Sequence, residues 1–246
     1  MMICGAVFLF SMGSALRILL EYRAIDALYE ESAAEYTRVI TEDSPPEESE
    51  EDEEESAVPI TVDFAKLREI NEDVVGWIYC EGTRINYPVV QRKDNNYYLN
   101  HNYRGETDRA GSIFVEAKNT MNFADSNTII HGHHMKNGAM FATLSNWSDQ
   151  AYYEEHPVMW LLTPEQDYQI VLFSGYTTKA VSDAYRIFRA DCPEFEEYLE
   201  TAKAHSDFSA DVETDSGEKF VALSTCEYNF ENARYVLHGM LVPYEE

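Results

Sequence analysis

The chain has 246 residues, of which 45% are hydrophobic and 13% aromatic, enough for one sizeable core in a single folded domain with appended segments. Its formal net charge is −27, and phosphate binding requires clustered lysine and arginine, so the composition excludes a nucleic-acid-binding protein. Much of the negative charge lies in one short stretch, so the net charge does not identify a cationic partner.

Residues 1–20 are almost wholly apolar, interrupted by small residues and by Arg17. A helix that spans a bilayer needs ~20 apolar residues, and an arginine near its end can extend its charge to the interface. We therefore interpret residues 1–20 as a single-pass N-terminal membrane anchor. A cleaved signal peptide is the competing interpretation, which the lack of a basic n-region and of a small-residue cleavage site disfavours. The loose helical pattern of residues 21–40 predicts a juxtamembrane helix.

The next stretch, residues 41–58, is low in complexity and lacks aromatic residues. It carries ten acidic residues between Glu42 and Glu55. Like charges repel one another and the stretch has little apolar surface to bury, so we predict a disordered acidic linker. Residues 59–246 then form the folded domain.

Eight short segments rich in β-branched and aromatic residues are bounded by Gly, Pro, Asn and Asp, which predicts strands. They are residues 77–80, 85–90, 112–115, 127–130, 159–162, 169–176, 219–223 and 235–242. Helical spacing of apolar residues predicts short helices at 63–71, 95–100, 138–145 and 193–205. Many strands with few crossover helices favour an antiparallel β-barrel over a doubly wound parallel sheet.

Cys226 ends a run of apolar and small residues, and Arg234 follows eight residues later. The thiolate is the nucleophilic form of cysteine, and a guanidinium favours a neighbouring anion and can bind an oxyanion. A free thiol is mostly protonated at neutral pH, so a nucleophilic cysteine needs a base within hydrogen-bond reach. His131, His133 and His134 directly follow a β-branched run, at the open end of a predicted strand. These residues predict a cysteine nucleophile with an imidazole base.

Six segments of the chain, taken in order, resemble the class B sortases. They are DVVGWI at 73–78, INYPVVQ at 85–91, YYLNH at 97–101, GSIF at 111–114, HGHHMKNGAMF at 131–141 and LSTC at 223–226. The resemblance implies a mainly β (α+β) fold, an eight-stranded closed β-barrel with an N-terminal helical extension. It also implies a helix in the long loop before the strand of the catalytic cysteine. In such proteins the anchor stays uncleaved and the catalytic domain, here residues 59–246, lies outside the cell.

The resemblance also implies a reaction and its residues. Cys226 would attack a threonine carbonyl in the C-terminal sorting motif of a secreted protein and hold the product as a thioacyl enzyme. His133 would be the general acid and base, and Arg234 would stabilise the oxyanion. An amine of a peptidoglycan precursor or cross-bridge would resolve the intermediate. No metal or organic cofactor is implied.

Four further residues are carried over as contacts to the sorting peptide: Ser224, Glu227, Leu99 and His131. The family pattern has Tyr where this chain has His131, so the lining of the groove departs from the family there. An imidazole at this place can carry a charge at mildly acidic pH, which a phenol cannot. His134 is expected to point away from the site, since neighbouring residues of a strand face opposite sides.

Two other functions are compatible with parts of the same pattern. His131 and His133 have a spacing that can chelate zinc, with Cys226 or His238 completing the shell, which would make the chain a zinc-dependent hydrolase. No second ligand pair at metal spacing accompanies them. The other alternative is a non-catalytic surface-binding domain, against which the intact His133, Cys226 and Arg234 argue.

Overall fold

The computed structural model describes residues 2–40, 58–226 and 232–244, with side chains from residue 10 onward in the first segment. The acidic linker predicted at 41–58 falls almost wholly outside the described residues. Eight strands close into a barrel, which confirms the predicted fold class. Every strand expected from the sequence is present at nearly its expected place.

The elements follow one another in chain order. The helices are α1 (Met2–Tyr36), α2 (Phe64–Ile70), α3 (Gln150–Glu155) and α4 (Pro193–His205). The strands are β1 (Thr37–Val39), β2 (Ile60–Val62), β3 (Val74–Tyr79), β4 (Asn86–Gln91), β5 (Ile113–Val115), β6 (Asn127–His131), β7 (Val158–Leu162), β8 (Tyr168–Lys179), β9 (Lys219–Cys226) and β10 (Ala233–Pro243). Short 3-10 helices lie at Tyr97–Leu99, Met121–Phe123, Ala142–Ser148 and Asp183–Tyr185.

The barrel is mixed rather than purely antiparallel. Its order is β10-β8-β7-β3-β4-β5-β6-β9, with β9 pairing back onto β10. Within the described chain, the β4–β5 and β6–β9 pairs are parallel and the other six are antiparallel. The connections after β4 and β6 are long enough for such crossovers, whereas two antiparallel strands need only a hairpin.

Burial of apolar side chains stabilises this barrel. Trp77, Ile78, Leu172 and Leu223 are fully or almost fully buried within it. Removal of a large aliphatic or aromatic side chain from water stabilises a fold by ~1.5–3 kcal/mol. Strand β9 is buried on both faces, because α4 and the loops around it cover the outside of the barrel there. This explains why its sequence is a continuous apolar run rather than an alternating one.

The parallel pairing of β6 and β9 decides where the site forms. The two strands run in the same direction, so their C-terminal ends, at His131 and Cys226, open at one end of the barrel. Strand β10 runs the other way, begins at Ala233 and places Arg234 opposite Cys226. Residues far apart in the sequence are therefore brought to one rim by strand register alone.

Helix α1 packs on the barrel through its C-terminal half. Ile25, Tyr29, Ser32 and Tyr36 are buried and recur every three or four residues, so they form one face of the helix. Strands β1 and β2 continue from this face as a short antiparallel pair that the sequence did not predict. The helix crosses residue 20 without a break.

The predicted membrane anchor at residues 1–20 is wrong, and the cell-membrane localisation that was predicted from it is contradicted with it. Among the described residues, no helix combines the length and the hydropathy required to cross a bilayer. The physical reason lies in α1, where Arg17 forms an exposed ion pair with Glu21 at 2.9 Å.

The predicted helices agree with the structure in place but not always in type. Helix α4 spans its predicted residues and buries Phe195, Tyr198 and Leu199, with Pro193 in its first turn. The helix expected at 95–100 is only a 3-10 turn. The helix expected at 138–145 begins later, because Gly138 has a positive φ of 83° and belongs to a turn.

Candidate active site

Cys226, His133 and Arg234 line one cavity of about 340 Å³ at the open rim of the barrel. Ser224, His131 and Leu99, which the sequence indicated as peptide contacts, line the same cavity. Glu227, the fourth predicted contact, lies outside the described residues. The cavity is also lined by residues that were not predicted: Asn95, Phe114, Glu116, Gly132, Ala180, Tyr185 and Thr225.

Cys226 and Arg234 are cross-strand partners in the ladder between β9 and β10. Residues directly opposite in an antiparallel pair have Cα atoms about 4.5–5.5 Å apart, so the two side chains are neighbours. Both are half-buried. The Arg234 Nη1 donates a hydrogen bond to the Ala233 carbonyl at 2.9 Å, which restrains the guanidinium beside the thiol. The strand register therefore places a guanidinium beside the Cys226 side chain.

His133 is held by a hydrogen bond that fixes the roles of its two ring nitrogens. Its Nε2 lies 2.8 Å from the carbonyl oxygen of Leu99. A carbonyl can only accept, so Nε2 carries a proton and Nδ1 is the nitrogen free to take up or release one. The His133 carbonyl accepts a hydrogen bond from the Phe141 amide at 3.1 Å, which fixes the backbone on the other side.

His134 does not line the cavity, but its side chain contacts the backbone of Cys226. Its Nδ1 donates to the Cys226 carbonyl at 2.7 Å. This bond joins the segment after β6 to the end of β9. It extends the pairing of the two strands, in which the Gly132 amide donates to the Ser224 carbonyl at 3.0 Å. Sequence reasoning gave this histidine no role.

Ser224 and Tyr185 form a hydroxyl pair on the cavity wall. The Ser224 Oγ and the Tyr185 Oη lie 2.7 Å apart, and Ser224 is almost completely buried. Burial raises the pKa of Tyr185, and the hydrogen bond with Ser224 and the positive charge of Arg234 oppose that rise. Tyr185 is therefore a neutral hydroxyl at physiological pH. No motif in the sequence marked it.

His131 occupies the place where the family pattern has Tyr, and it is paired with Glu116. Its Nε2 lies 3.3 Å from Glu116 Oε2, and Asn95 Nδ2 donates to the same oxygen at 2.7 Å. The hydrogen bond with His131, followed by that from Asn95, lowers the pKa of Glu116 to about 2 despite partial burial. The imidazole also packs against the rings of Phe114 and Tyr185. Glu116 follows a matched segment closely, and that was the only signal in the sequence.

Leu99 lies at the rim with 37% of its surface exposed. Its side chain is available to a bound peptide while its carbonyl holds His133. In the described part of the chain, no three His, Cys, Asp or Glu side chains converge as metal ligands would. His131 and His133 instead direct their Nε2 atoms to Glu116 and to Leu99.

Comparisons with known proteins agree on one family. The sequence model of the family described as Sortase domain matches residues 78–242. Sortase B of Listeria monocytogenes serovar 1/2a is 41% identical over 181 residues, 72% of this chain and 72% of that protein. Sortase B of Staphylococcus aureus is 35% identical over 181 residues, 73% of this chain and 74% of that protein.

Solved structures give the same result. The structure of sortase B from Bacillus anthracis superposes with a TM-score of 0.75 at 35% identity, covering 92% of this chain and 100% of that one. The Staphylococcus aureus sortase B–substrate complex superposes with a TM-score of 0.69 at 34% identity, covering 74% of this chain and 85% of that one.

Proposed function

The chain belongs to the sortase family, within the class B cysteine transpeptidases, and we propose that it attaches secreted proteins to the cell wall. Its donor substrate is a secreted protein with a C-terminal sorting motif. Its acceptor is an amine of a peptidoglycan precursor or cross-bridge. The observation that carries the proposal is the meeting of Cys226, His133 and Arg234 in one cavity.

The first half of the reaction forms the thioacyl enzyme. The Cys226 thiolate attacks the carbonyl carbon of the motif's threonine, so that a C–S bond forms and the carbonyl oxygen becomes an oxyanion. The Arg234 guanidinium stabilises that charge. The oxyanion collapses, the scissile C–N bond breaks, and the His133 imidazolium gives its Nδ1 proton to the leaving amine.

The second half reverses these roles with a different amine. The acceptor amine attacks the thioester carbon while His133 Nδ1 takes its proton. The second oxyanion collapses and expels the Cys226 thiolate, and a new amide bond joins donor and acceptor. The chain returns to its starting protonation state, so the cycle consumes neither oxidant nor metal.

The cavity walls support a role in peptide recognition for Ser224, His131 and Leu99, and we propose the same role for Glu227. Ser224 and Tyr185 offer hydroxyls, Leu99 offers an apolar rim, and the Glu116–His131 pair offers charge. A sorting peptide has both apolar and hydrogen-bonding groups, which this lining matches. A polar pocket that hydrogen-bonds a side chain rejects analogues that lack it.

The decisive experiment traps the intermediate. The chain is incubated with a library of candidate sorting peptides, and covalent adducts are located by mass spectrometry. We expect a thioacyl adduct on Cys226 with peptides that contain the motif, and none in a Cys226→Ala variant. If no peptide acylates Cys226 although a small alkylating reagent does, the transpeptidase proposal fails.

The two other functions make opposite predictions in the same assay. A zinc-dependent hydrolase that uses His131 and His133 would lose activity with a chelator and keep it after alkylation of Cys226. The paired contacts of both imidazoles with Glu116 and Leu99 speak against that reading. A non-catalytic surface-binding domain would bind peptide equally well with and without the Cys226 thiol and would cleave none.

A further inference from the structure

We propose that helix α1 positions the catalytic imidazole: Asp26 and Tyr29, on one face of the helix, fix both the backbone segment and the hydrogen-bond partner of His133. The inference rests on the proposed role of His133 and goes beyond it, because it assigns a part in catalysis to a helix outside the barrel. Asp26 and Tyr29 are three residues apart and therefore project from the same side of α1. They lead to His133 by two separate routes.

The first route runs through Asp26 to the segment that carries His133. Asp26 Oδ1 accepts hydrogen bonds from Arg84 Nη2 at 2.6 Å and from Asn137 Nδ2 at 3.0 Å. Arg84 Nη1 also donates to the Asn137 carbonyl at 2.6 Å. Both the side chain and the main chain of Asn137 are thus held, four residues beyond His133.

The held segment is a tight turn with no regular structure of its own. Gly138 donates its amide to the Met135 carbonyl at 2.9 Å, and the chain returns so that Phe141 donates to the His133 carbonyl. Met140, which has a positive φ of 59°, donates its amide to the hydroxyl of Tyr87 at 3.0 Å. A turn of this kind keeps one geometry only when its neighbours fix it.

The second route runs through Tyr29 to the carbonyl that binds His133. The Tyr29 hydroxyl donates to the Gly111 carbonyl at 2.8 Å, and its ring packs edge-on against Tyr87. Gly111 has a φ of 60° and lies so close to Leu99 that a Cβ there would approach the Leu99 carbonyl oxygen to 3.0 Å. That oxygen accepts the hydrogen bond from His133 Nε2.

The two routes have a common consequence for catalysis. Asn137 sets where the His133 backbone lies, and Leu99 sets how its ring is turned. An exposed ion pair such as Asp26–Arg84 adds little to the stability of a fold. A displacement of a catalytic group by about 1 Å can nevertheless lower the rate by ~10²-fold. The contacts of Asp26 therefore matter more for the rate than for folding.

The test uses single substitutions in the complete chain, measured by peptide cleavage and by the pH profile of Cys226 alkylation. Asp26→Ala is expected to lower kcat by at least ~5-fold with KM within ~2-fold, and to change the alkylation profile. Asp26→Asn keeps an Oδ1 acceptor and is expected to restore more than half of kcat. Tyr29→Phe removes one hydroxyl and is expected to lower kcat without changing its ring packing.

Glu21→Gln is the matched control, because it breaks an exposed ion pair on the same helix that does not reach the barrel. It is expected to behave like the wild type in every readout. The inference is overturned if folded Asp26→Ala keeps the wild-type kcat and alkylation profile, or if Asp26→Asn is as impaired as Asp26→Ala. Should Asp26→Ala fail to fold, Tyr29→Phe decides alone, and a wild-type kcat in it overturns the inference.

The alkylation profile separates this inference from the proposed function. It needs only the thiol of Cys226 and the imidazole of His133, and no peptide. If the wild-type chain forms no thioacyl adduct, the proposed function fails while the effect of Asp26→Ala on the profile still tests the positioning.

Discussion

The two sides of the cavity are held in place by different means. The ladder side, Cys226 and Arg234, is fixed by eight consecutive residue pairs between β9 and β10. The contact side, His133 and the His131–Glu116 pair, is fixed by side chains and carbonyls from distant parts of the chain. A backbone ladder tolerates most side-chain changes, whereas a contact is lost with either partner. The contact side is therefore where a single substitution most readily changes the geometry of the cavity.

The largest expected effect comes from removal of the nucleophile on the ladder side. Cys226→Ala should lower kcat/KM for peptide cleavage by at least ~10⁴-fold, because no other group in the cavity can form the thioester. The fold should persist, since the strand pairing does not depend on this half-buried side chain. Cys192→Ala, a thiol outside the cavity, is the control and should keep the wild-type rate. Comparable cleavage by both variants would exclude a cysteine mechanism.

Arg234→Lys should have the next largest effect. The lysine keeps the positive charge but loses the planar array of donors, so we expect kcat/KM to fall by about 10²-fold. The loss should appear mainly in kcat, because an oxyanion exists only after attack has begun. Arg189→Lys, an exposed arginine outside the cavity, is the matched control. A rise in KM with unchanged kcat would assign Arg234 to peptide binding instead.

The ladder side should also be sensitive to acid through His238, which is buried in the middle of β10. Burial lowers the pKa of His238 to about 4, so the folded chain stays unprotonated there while the unfolded chain gains a proton below about pH 6.5. Stability present above pH 6.5 is therefore lost as the pH falls toward 4, by about 3 kcal/mol in total.

The measurement is denaturant unfolding between pH 7 and pH 4. His238→Gln, which retains a hydrogen-bond donor for Tyr198, should lose most of the slope in this window. His205→Gln, at an exposed position in α4, is the matched control and should retain it. Equal slopes in all three proteins would show that burial of His238 does not set the acid sensitivity.

The difference between the two sides also explains what could be predicted from the sequence. The strands are marked by local patterns, and once β6, β9 and β10 are neighbours their register brings His131, Cys226 and Arg234 together. The resemblance to class B sortases indicated that these strands are neighbours in a barrel. Strand direction was less predictable, because an apolar run that is buried on both faces does not tell a parallel pair from an antiparallel one.

The residues that were missed depend on contacts that no local pattern records. Glu116 meets His131 and Asn95 only after the barrel closes, and Tyr185 reaches Ser224 from a short 3-10 helix. The predicted anchor failed for a related reason. The prediction placed the charge of Arg17 at a membrane interface, whereas in the structure Arg17 forms an exposed ion pair with Glu21 in α1.

The smallest expected effect is the loss of stability when Glu116 is replaced. It should occur at lower pH than the loss caused by protonation of His238, so the two sides of the cavity can be compared. The hydrogen bond with His131 holds the pKa of Glu116 at about 2, below its ordinary value of about 4.5. The folded chain then binds fewer protons than the unfolded one between these values, so the pair stabilises the fold above pH 4.5 and ceases to do so as the pH falls toward 2.

Glu116→Gln should therefore lower the free energy of unfolding at pH 6 by about 1 kcal/mol, a value reduced from the full shift because solvent screens a partly exposed pair. Near pH 2.5 the variant and the wild type should be almost equally stable. Glu155→Gln, an exposed carboxylate on α3, is the control. If Glu116→Gln changed the slope between pH 6.5 and 4 instead, the two sides would be coupled. If the effects of His238 and Glu116 fall in separate pH ranges, the strand pairing and the side-chain contacts fix their parts of the cavity independently.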